Sequence, residues 1–410
     1  MSSYKEINIT PKGLIGEGGF GCIFRPPIDC KGNIAKEERT YISKIVKKGP
    51  EVENEVEMGI LVREIKLHTS FFVTVSRDCS SINVSQLKID ETDKCEAFKR
   101  FPNDDFSILK MQYIKGEPLG KYLASQDIND SQRFQSNFQG YMHLLSALEL
   151  LTGKNIIHFD IKSGNILFSL KLTRPVIIDF GLSFLMDDKY KKINDKSMPF
   201  LHKYFYIYAP DYYIWSPEIH LLNYLLHVNR YPNIDQLKDI TKNIVKNNPV
   251  LKNNFTEKFA ERYENALLLN FKNLMDSESS TISGHYKIVE KLLKTWKTWD
   301  NFALSIFYLK QLIFQFGDNP IIDNKYLSFL IQLLTTNISP FAEKRLTPHL
   351  TKIKLRKWLE TDPNALNSLI NYKSLMKSNP LHYDLALKDE IAMKELTNRL
   401  TNKRARRDRV

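Results

Sequence analysis

The 410-residue sequence has few cysteines and no long apolar segment. Cys22, Cys30, Cys79 and Cys95 include no C-x-x-C pair, and four cysteines in so long a chain do not indicate a disulfide framework. No apolar run reaches the roughly 18 residues that a membrane span requires. The first residues also lack the basic and apolar regions of a secretory leader. These absences predict an intracellular, cytoplasmic protein without a membrane span.

The formal net charge is +12, but its distribution argues against a nucleic-acid partner. Residues 394–410 hold seven Lys or Arg and two acidic residues, so +5 of the charge lies in this tail. A basic tail of this kind is usually a solvated helix end; the alternative is a patch for an anionic partner or nuclear targeting. No basic patch interleaved with aromatic residues accompanies it, as single-stranded nucleic-acid binding would require.

Strand-like segments occupy about the first hundred residues, and helical periodicity dominates after Lys115. The first part predicts strands and one helix, with an irregular insertion: strands at 12–27 around a glycine turn, 40–48, 70–75 and from 106, a helix at 53–68, and the insertion at 76–103. The later part predicts a helix at 138–155, short strands at 165–170 and 174–180, an irregular segment at 187–203, and a helical insert at about 219–297. We therefore predict an α+β protein with a β-rich lobe (1–115), a helical lobe (116–350), and a helical extension with a basic tail (351–410).

The glycine-rich segment GEGGFGCI is the first candidate site, because glycines let backbone amides approach phosphate groups closely. Its residues are Gly16, Glu17, Gly18, Gly19, Phe20, Gly21, Cys22 and Ile23. Hairpins without a ligand also carry such glycines. A dinucleotide-binding loop would open into a helix, whereas strand-like sequence flanks this segment on both sides. The flanks therefore favour a phosphate-binding hairpin.

Lys44, in the third strand, is a candidate phosphate ligand if a helical carboxylate holds it in place. Without such a partner it is an ordinary edge lysine. The following helix offers Glu53, Glu55, Glu57 and Glu64. We predict Glu57, because it adjoins the apolar stripe, and keep Glu64 as the alternative. The stripe consists of Val56, Ile60, Leu61 and Ile65.

The segment HFDIKSGNIL, residues 158–167, combines the groups that phosphoryl transfer needs. Asp160 can accept the proton of an attacking hydroxyl, and Lys162 can neutralise charge on the transferring phosphoryl group. Asn165 offers an oxygen ligand for Mg²⁺, and Asp179 follows fourteen residues later with a carboxylate. Each residue alone is compatible with a cap or a loop amide. Their order and spacing predict a phosphoryl-transfer site that holds Mg²⁺, with Mn²⁺ as an alternative.

These motifs resemble those of eukaryotic-type protein kinases, over roughly residues 12–350. The resemblance implies a bilobal fold with ATP between the lobes. It also implies that the connector after Met111 recognises adenine, with Met111 as the gatekeeper and Gln112 and Ile114 offering backbone groups. Asp160-x-Lys162 resembles the serine/threonine branch, which implies a protein substrate that carries Ser or Thr.

Three later residues extend the resemblance. WSPE, ending at Glu218, resembles the motif that closes the activation segment, and Asp300 stands where the next buried helix carries an aspartate. Arg345 resembles the arginine that pairs with Glu218. The long insert between Glu218 and Asp300 resembles kinases encoded by large DNA viruses, which implies host cytoplasm and virion as locations. A small-molecule kinase of related fold and a pseudokinase scaffold are the alternative functions.

Two positions depart from the kinase pattern. Phe159 replaces the arginine that commonly binds a phosphorylated activation loop, which predicts a loop held by packing instead. Asp211 stands near the place of a threonine that usually precedes the closing motif. Two interpretations remain open for Asp211: a hydrogen bond to Lys162, or a solvated loop position.

Overall fold

The computed structural model describes residues 13–407 apart from 19–20, 37, 39, 90, 126–128, 188–189, 191, 254–256, 318–323, 380 and 382. The chain divides into two compact units. Unit 1 contains the described residues up to Glu64 and Val73–Ile114; unit 2 contains Ile65–Phe72 and the described residues from Lys115 onward. Strands dominate the first unit and helices the second, which confirms the predicted α+β class.

Unit 1 is built on one antiparallel sheet. Its elements are β1 (Gly13–Gly18), β2 (Gly21–Arg25), β3 (Tyr41–Lys47), α1 (Pro50–Arg63), β4 (Val75–Ile82), α2 (Glu96–Arg100) and β5 (Phe106–Gln112). The strands follow the order β1-β2-β3-β5-β4. Phe98 of α2 stacks on Phe24 at 6.1 Å between ring centroids and meets Phe106 edge-on at 5.0 Å. This aromatic contact anchors α2 to the core of the unit.

The segment from 70 to 103 differs from its prediction. The strand expected at 70–75 begins only at Val75, and the expected irregular insertion contains β4 and α2. Because β4 is an edge strand of sequence VSRDCSSI, no apolar alternation marks it. A helix of five residues is likewise too short for periodicity to reveal.

The four cysteines are paired, Cys22 with Cys95 and Cys30 with Cys79. The interpretation that these cysteines do not indicate a disulfide framework is therefore wrong. The partners are separated by 73 and 49 residues in sequence, and sequence spacing cannot reveal which distant cysteines meet. The bonds do not identify a compartment, so the intracellular location stays a prediction.

Unit 2 is largely helical. Its strands are β6 (Gly116–Pro118), β7 (Ile156–Ile157), β8 (Ile166–Ser169), β9 (Arg174–Ile177) and β10 (Phe184–Leu185). Its helices are α3 (Leu119–Ala124), α4 (Asp130–Gly153), α5 (Met198–Tyr204), α6 (Pro217–His227), α7 (Ile234–Asn247), α8 (Pro249–Asn253), α9 (Glu257–Asp276), α10 (Ile282–Leu293), α11 (Trp299–Phe316), α12 (Lys325–Asn337), α13 (Pro348–Thr361), α14 (Ala365–Ser378) and α15 (Tyr383–Arg407). The insert predicted at 219–297 is helical, from α6 to α10, whereas α5 lies in a segment predicted to be irregular.

The described part of unit 2 contains two short antiparallel β-sheets. β6, β8 and β9 form one antiparallel sheet, and β7 pairs with β10. Among the described helices, none combines the length and the apolar character that crossing a bilayer requires.

Candidate active site

The glycine-rich hairpin joins β1 to β2 in unit 1. Gly18 pairs with Gly21, and Ile23 pairs with Lys44 of the adjacent strand β3. A Cβ atom on Gly21 would lie 2.1 Å from the carbonyl oxygen of Ile45, so the close approach of β3 requires glycine at this position. The structure therefore requires glycine at position 21, a position that is glycine in the motif.

The other predicted residues of this hairpin lie in the strands, in a disulfide or outside the described residues. Gly16 and Glu17 lie in β1, and the Glu17 carboxylate accepts a hydrogen bond from the Glu96 backbone at 2.7 Å. Cys22 is fully buried in its disulfide. Gly19 and Phe20 lie outside the described residues.

Lys44 forms a bidentate ion pair with Glu55. Its Nζ donates to Glu55 Oε2 at 2.8 Å and to Oε1 at 3.1 Å. The side chain of Glu55 is 5% exposed and that of Lys44 is 22% exposed, so solvent screens this pair less than a surface pair. The lysine is held by a helical carboxylate, which is the condition for a phosphate-binding role.

The choice of Glu57 as the partner of Lys44 is wrong, and so is the alternative Glu64. Glu57 is exposed on α1, and Glu64 follows the last residue of that helix. The error lies in the phase of the helix: Ile60 of the expected stripe is 51% exposed. The buried face consists instead of Val52, Asn54, Glu55, Met58, Gly59 and Val62. Two of these buried residues, Asn54 and Glu55, are polar. A prediction from apolar periodicity alone therefore assigns the wrong face of α1 as buried.

The predicted adenine-binding connector begins at the end of β5. Met111 is 7% exposed and pairs with Ile42 of β3 and Val75 of β4. Gln112 is the last residue of the strand and is exposed, and Ile114 is half-buried in the segment that follows. Their role toward adenine stays a prediction.

Asp160 is the centre of a buried polar cluster in unit 2. Lys162 Nζ donates to both of its carboxylate oxygens, at 2.9 and 2.7 Å, and Asn165 Nδ2 donates to Oδ2 at 2.8 Å. The Tyr212 hydroxyl donates to Oδ1. Asp160, Lys162 and Asn165 are 4%, 8% and 6% exposed. The structure thus brings together three residues that the loop motif predicts, and it adds Tyr212.

Tyr212, one position from Asp211, is a residue of this cluster that sequence reasoning missed. Lys162 Nζ donates to the Tyr212 hydroxyl at 3.1 Å, whereas Asp211 forms an exposed ion pair with Arg399 at 3.3 Å. The interpretation in which Asp211 bonds Lys162 is therefore wrong. Burial, followed by the charge of Asp160, raises the pKa of Tyr212 well above its ordinary value. The phenol consequently stays protonated and donates to the carboxylate.

Asp300, at the start of α11, binds the backbone of the loop that carries Asp160. Its carboxylate accepts the backbone N–H of His158 at 2.7 Å and that of Phe159 at 2.9 Å. Burial raises the pKa of Asp300, while the His158 charge and these two hydrogen bonds oppose the rise. Phe159 has φ 68°, a conformation that side chains other than glycine rarely adopt, and these bonds hold it there.

The Phe159 side chain is 4% exposed and lies among aromatic rings. Its ring centroid is 5.1–6.3 Å from those of four others: Phe184, Phe205, Trp215 and Trp299. The Trp215 indole also donates to the Phe159 carbonyl at 3.1 Å. Packing thus connects residues 158–167, which the resemblance implies are the catalytic loop, to the segment between Asp179 and Glu218.

The β8–β9 hairpin brings Asn165 close to the chain at Asp179. Ile166 pairs with Ile177, and the Ile178 N–H donates to the Asn165 carbonyl at 2.9 Å. Because the amide nitrogen of Asn165 donates to Asp160, its amide oxygen is the atom suited to a metal. Asp179, at φ 66°, supplies the carboxylate. An amide and a carboxylate oxygen are donors that Mg²⁺ accepts, so the residues fit that ion.

Glu218 and Arg345 form the predicted ion pair. The pair joins the N-terminal turn of α6 to the segment before α13, and the two side chains are 3% and 0% exposed. Breaking one side of such a buried pair leaves an uncompensated charge and is strongly destabilising. The pair therefore fixes the end of the segment that carries Tyr212.

Unit 1 holds a lysine bound by a helical glutamate, and unit 2 holds an aspartate, a lysine and an asparagine on one loop. Each set consists of residues that phosphoryl transfer uses. The chain matches the protein kinase domain family over residues 9–349. It therefore belongs to the protein kinase family.

Curated relatives agree with this assignment. A probable myosin light chain kinase of Dictyostelium discoideum is 25% identical over 182 residues, 44% of this chain and 32% of the relative. A receptor-like protein kinase of Arabidopsis thaliana, from the leaf rust 10 disease-resistance locus family, is 27% identical over 45% of this chain and 25% of the relative. A probable cell division control protein 7 homologue of Encephalitozoon cuniculi is 29% identical over 20% of this chain and 22% of the relative. The chain thus spans a third or less of the length of these relatives, and its viral origin stays a prediction.

Proposed function

We propose that the protein is an ATP- and Mg²⁺-dependent kinase that phosphorylates serine or threonine hydroxyls of proteins. The observation that carries this proposal is the cluster around Asp160, in a chain of the protein kinase family. The acceptor hydroxyl gives its proton to Asp160 while its oxygen attacks the γ-phosphorus, and the bond to ADP breaks. Lys162 neutralises charge on the transferring group.

The remaining groups hold the nucleotide in this proposal. Lys44, fixed by Glu55, binds phosphate oxygens, and the backbone of the glycine hairpin approaches them. Asn165 and Asp179 hold Mg²⁺, which neutralises phosphate charge when bound. Positioning and electrostatics account for most of the rate, because this transfer requires little covalent chemistry from the protein.

The preference for Ser and Thr in proteins is supported by Lys162, which lies two residues after Asp160 and contacts its carboxylate. Small-molecule kinases of related fold generally lack this lysine and the closing S-P-E, whereas this chain has both. The intact Asp160, Lys162 and Asn165 also count against a pseudokinase scaffold.

We further propose that activity does not depend on phosphorylation of the activation segment. Phe159 supplies packing where a phosphate-binding arginine is usual. Ser183, Tyr190 and Ser197 in this segment are buried, at 0%, 4% and 5% exposure. The Ser183 hydroxyl already donates to the His158 carbonyl at 3.0 Å. These hydroxyls serve the packing of the segment.

The test is transfer from labelled ATP with Mg²⁺ to casein and to a basic protein, beside Asp160→Asn and Lys44→Met. We expect both variants to lose most activity, because they remove the proton acceptor and the phosphate ligand. Lys47→Met, on the same strand, is the matched control and should stay near wild type, since Lys47 pairs with Asp104. Transfer no greater than that of Asp160→Asn would favour a scaffold, and label on free sugars or amines alone would favour a small-molecule kinase.

Phosphatase treatment tests the second proposal in the same assay. We expect the treated wild-type protein to retain its rate of transfer. A treated sample that falls silent and recovers on rephosphorylation would contradict independence from segment phosphorylation.

A further inference from the structure

The C-terminal helix α15 contacts the catalytic loop through Thr397. Lys162 Nζ donates to the Thr397 hydroxyl at 2.7 Å, and the Tyr212 hydroxyl lies 3.3 Å from the same oxygen. Lys162 and Tyr212 also bind the Asp160 carboxylate. The Thr397 hydroxyl, 235 residues from Lys162 along the chain, thus contacts two side chains that bind the proposed proton acceptor Asp160.

This contact belongs to a continuous docked face. Ala386, Met393 and Leu400 are 4–5% exposed, and with Asp389 and Thr397 they recur every three or four residues. Such spacing places all five on one side of the helix. The face packs against α3, α11 and the turn at Ser163–Asn165.

A buried cluster of charged and polar groups also binds α15 at Asp389, about two turns before Thr397. Lys310 Nζ of α11 donates to Asp389 Oδ1 at 2.6 Å, and the Tyr213 hydroxyl donates to the same oxygen at 3.0 Å. The side chains of Lys310 and Asp389 are 5% and 14% exposed. Burial lowers the pKa of Lys310, whereas the Asp389 charge opposes this. Asp389 therefore supplies the counter-charge that a buried ammonium needs.

Two weaker ion pairs flank the docked face. Glu390 lies 3.7 Å from Lys121 of α3, and Arg399 lies 3.3 Å from Asp211. Arg399 and Asp211 are 64% and 44% exposed, so this pair orients the helix more than it stabilises it. Asp211 and Tyr212 are adjacent, so α15 contacts both the catalytic loop and the segment that precedes Glu218.

We propose that α15 is an intramolecular ligand of the phosphoacceptor site, with Thr397 where a substrate hydroxyl binds, and that it must leave before a protein substrate can enter. This inference rests on the proposed kinase function. The Thr397 hydroxyl donates to the Met393 carbonyl at 2.8 Å, so in the docked helix its proton is directed away from Asp160. The docked helix thus occupies the site in a pose that does not react.

The kinetic consequence follows from a docked and an undocked state. A protein substrate binds only the undocked fraction, so its apparent KM is the intrinsic value divided by that fraction. At saturating substrate the helix is displaced, and kcat is unchanged. The KM for ATP is also unchanged, because α15 contacts Lys162 and Tyr212 at the proposed phosphoacceptor site.

The test compares full-length Asp389→Lys with wild type and with Asp384→Lys, an identical change on an exposed position of the same helix. Asp389→Lys places a second cation against buried Lys310, so the helix cannot dock. We expect the KM for casein to fall at least about tenfold at unchanged kcat, and Asp384→Lys to match wild type. Thermal unfolding checks that each variant is folded.

Thr397→Val is the second variant, because it removes only the hydroxyl that Lys162 contacts. We expect a fall in KM for casein in the same direction but smaller. The inference is overturned if wild type, Asp389→Lys and Thr397→Val share one KM for casein while all transfer phosphate. If no protein in the set transfers phosphate above Asp160→Asn, the proposed function fails instead.

Discussion

At the scale of single residues, Glu55 shows how a charged side chain becomes part of a buried helix face. Its carboxylate is nearly enclosed, yet both oxygens receive hydrogen bonds from Lys44. A buried carboxylate without such a partner would be costly, whereas the pair satisfies both groups. Glu57, two residues further along the same helix, lies in solvent. The two glutamates therefore offer a controlled comparison.

We predict that Glu55→Gln weakens nucleotide-dependent transfer and that Glu57→Gln does not. Glutamine keeps the shape of the side chain but removes the charge that orients Lys44, a loss of about 1.5–3 kcal/mol for a charge-assisted bond. The expected result is a roughly tenfold or greater fall in kcat/KM for ATP. Steady-state kinetics at varied ATP measures it. Equal values for the two variants would show that the ion pair has no part in catalysis.

At the scale of elements, sequence patterns predicted those elements that carry a regular apolar period. The patterns of β3, α4 and the helical insert are of this kind, whereas the glycine hairpin follows from its turn glycines. The edge strand β4 and the short helix α2 carry none, and the phase of α1 was misjudged because Asn54 and Glu55 belong to its buried face. In the site, local motifs located Asp160, Lys162, Asn165 and Asp179. Tyr212 and Thr397 contact Lys162 from 50 and 235 residues away along the chain, and no local pattern encodes such contacts.

The disulfide between β2 and the residue before α2 should contribute to the stability of the fold. Cys22 and Cys95 join these elements across 73 residues, and closing a loop of that length restricts the unfolded chain by up to about 4 kcal/mol. We expect reductant to lower the denaturant midpoint of the wild-type protein. A variant with all four cysteines replaced by serine should start at the lower midpoint and show no response. A wild-type midpoint that ignores reductant, with free thiols detected by titration, would contradict the pairing.

At the scale of the whole molecule, buried histidines predict how stability responds to acid. Burial lowers the pKa of His220 in α6 to about 3 and that of His143 in α4 to about 4, from an ordinary value of 6.5. His143 also stacks on Phe71 at 4.4 Å between ring centroids. Below pH 6.5 these histidines become protonated in the unfolded chain, whereas in the folded protein the buried imidazole rings stay neutral. Their contribution is therefore complete above about pH 6.5 and is lost as the pH falls toward 4.

We predict that the free energy of unfolding falls between pH 6.5 and pH 5.0, by about 2 kcal/mol for His220 alone, since one proton changes stability by about 1.4 kcal/mol per pH unit. Asp300 acts in the opposite sense, because its raised pKa lets the folded state take up a proton at a higher pH than the unfolded chain does. Urea unfolding at several pH values measures the net slope. His220→Gln lowers stability at every pH, but it should also flatten the slope, because glutamine does not titrate. A slope unchanged by His220→Gln would mean that this ring is protonated in the folded protein, and the buried core of α6 would then have to accommodate a cation.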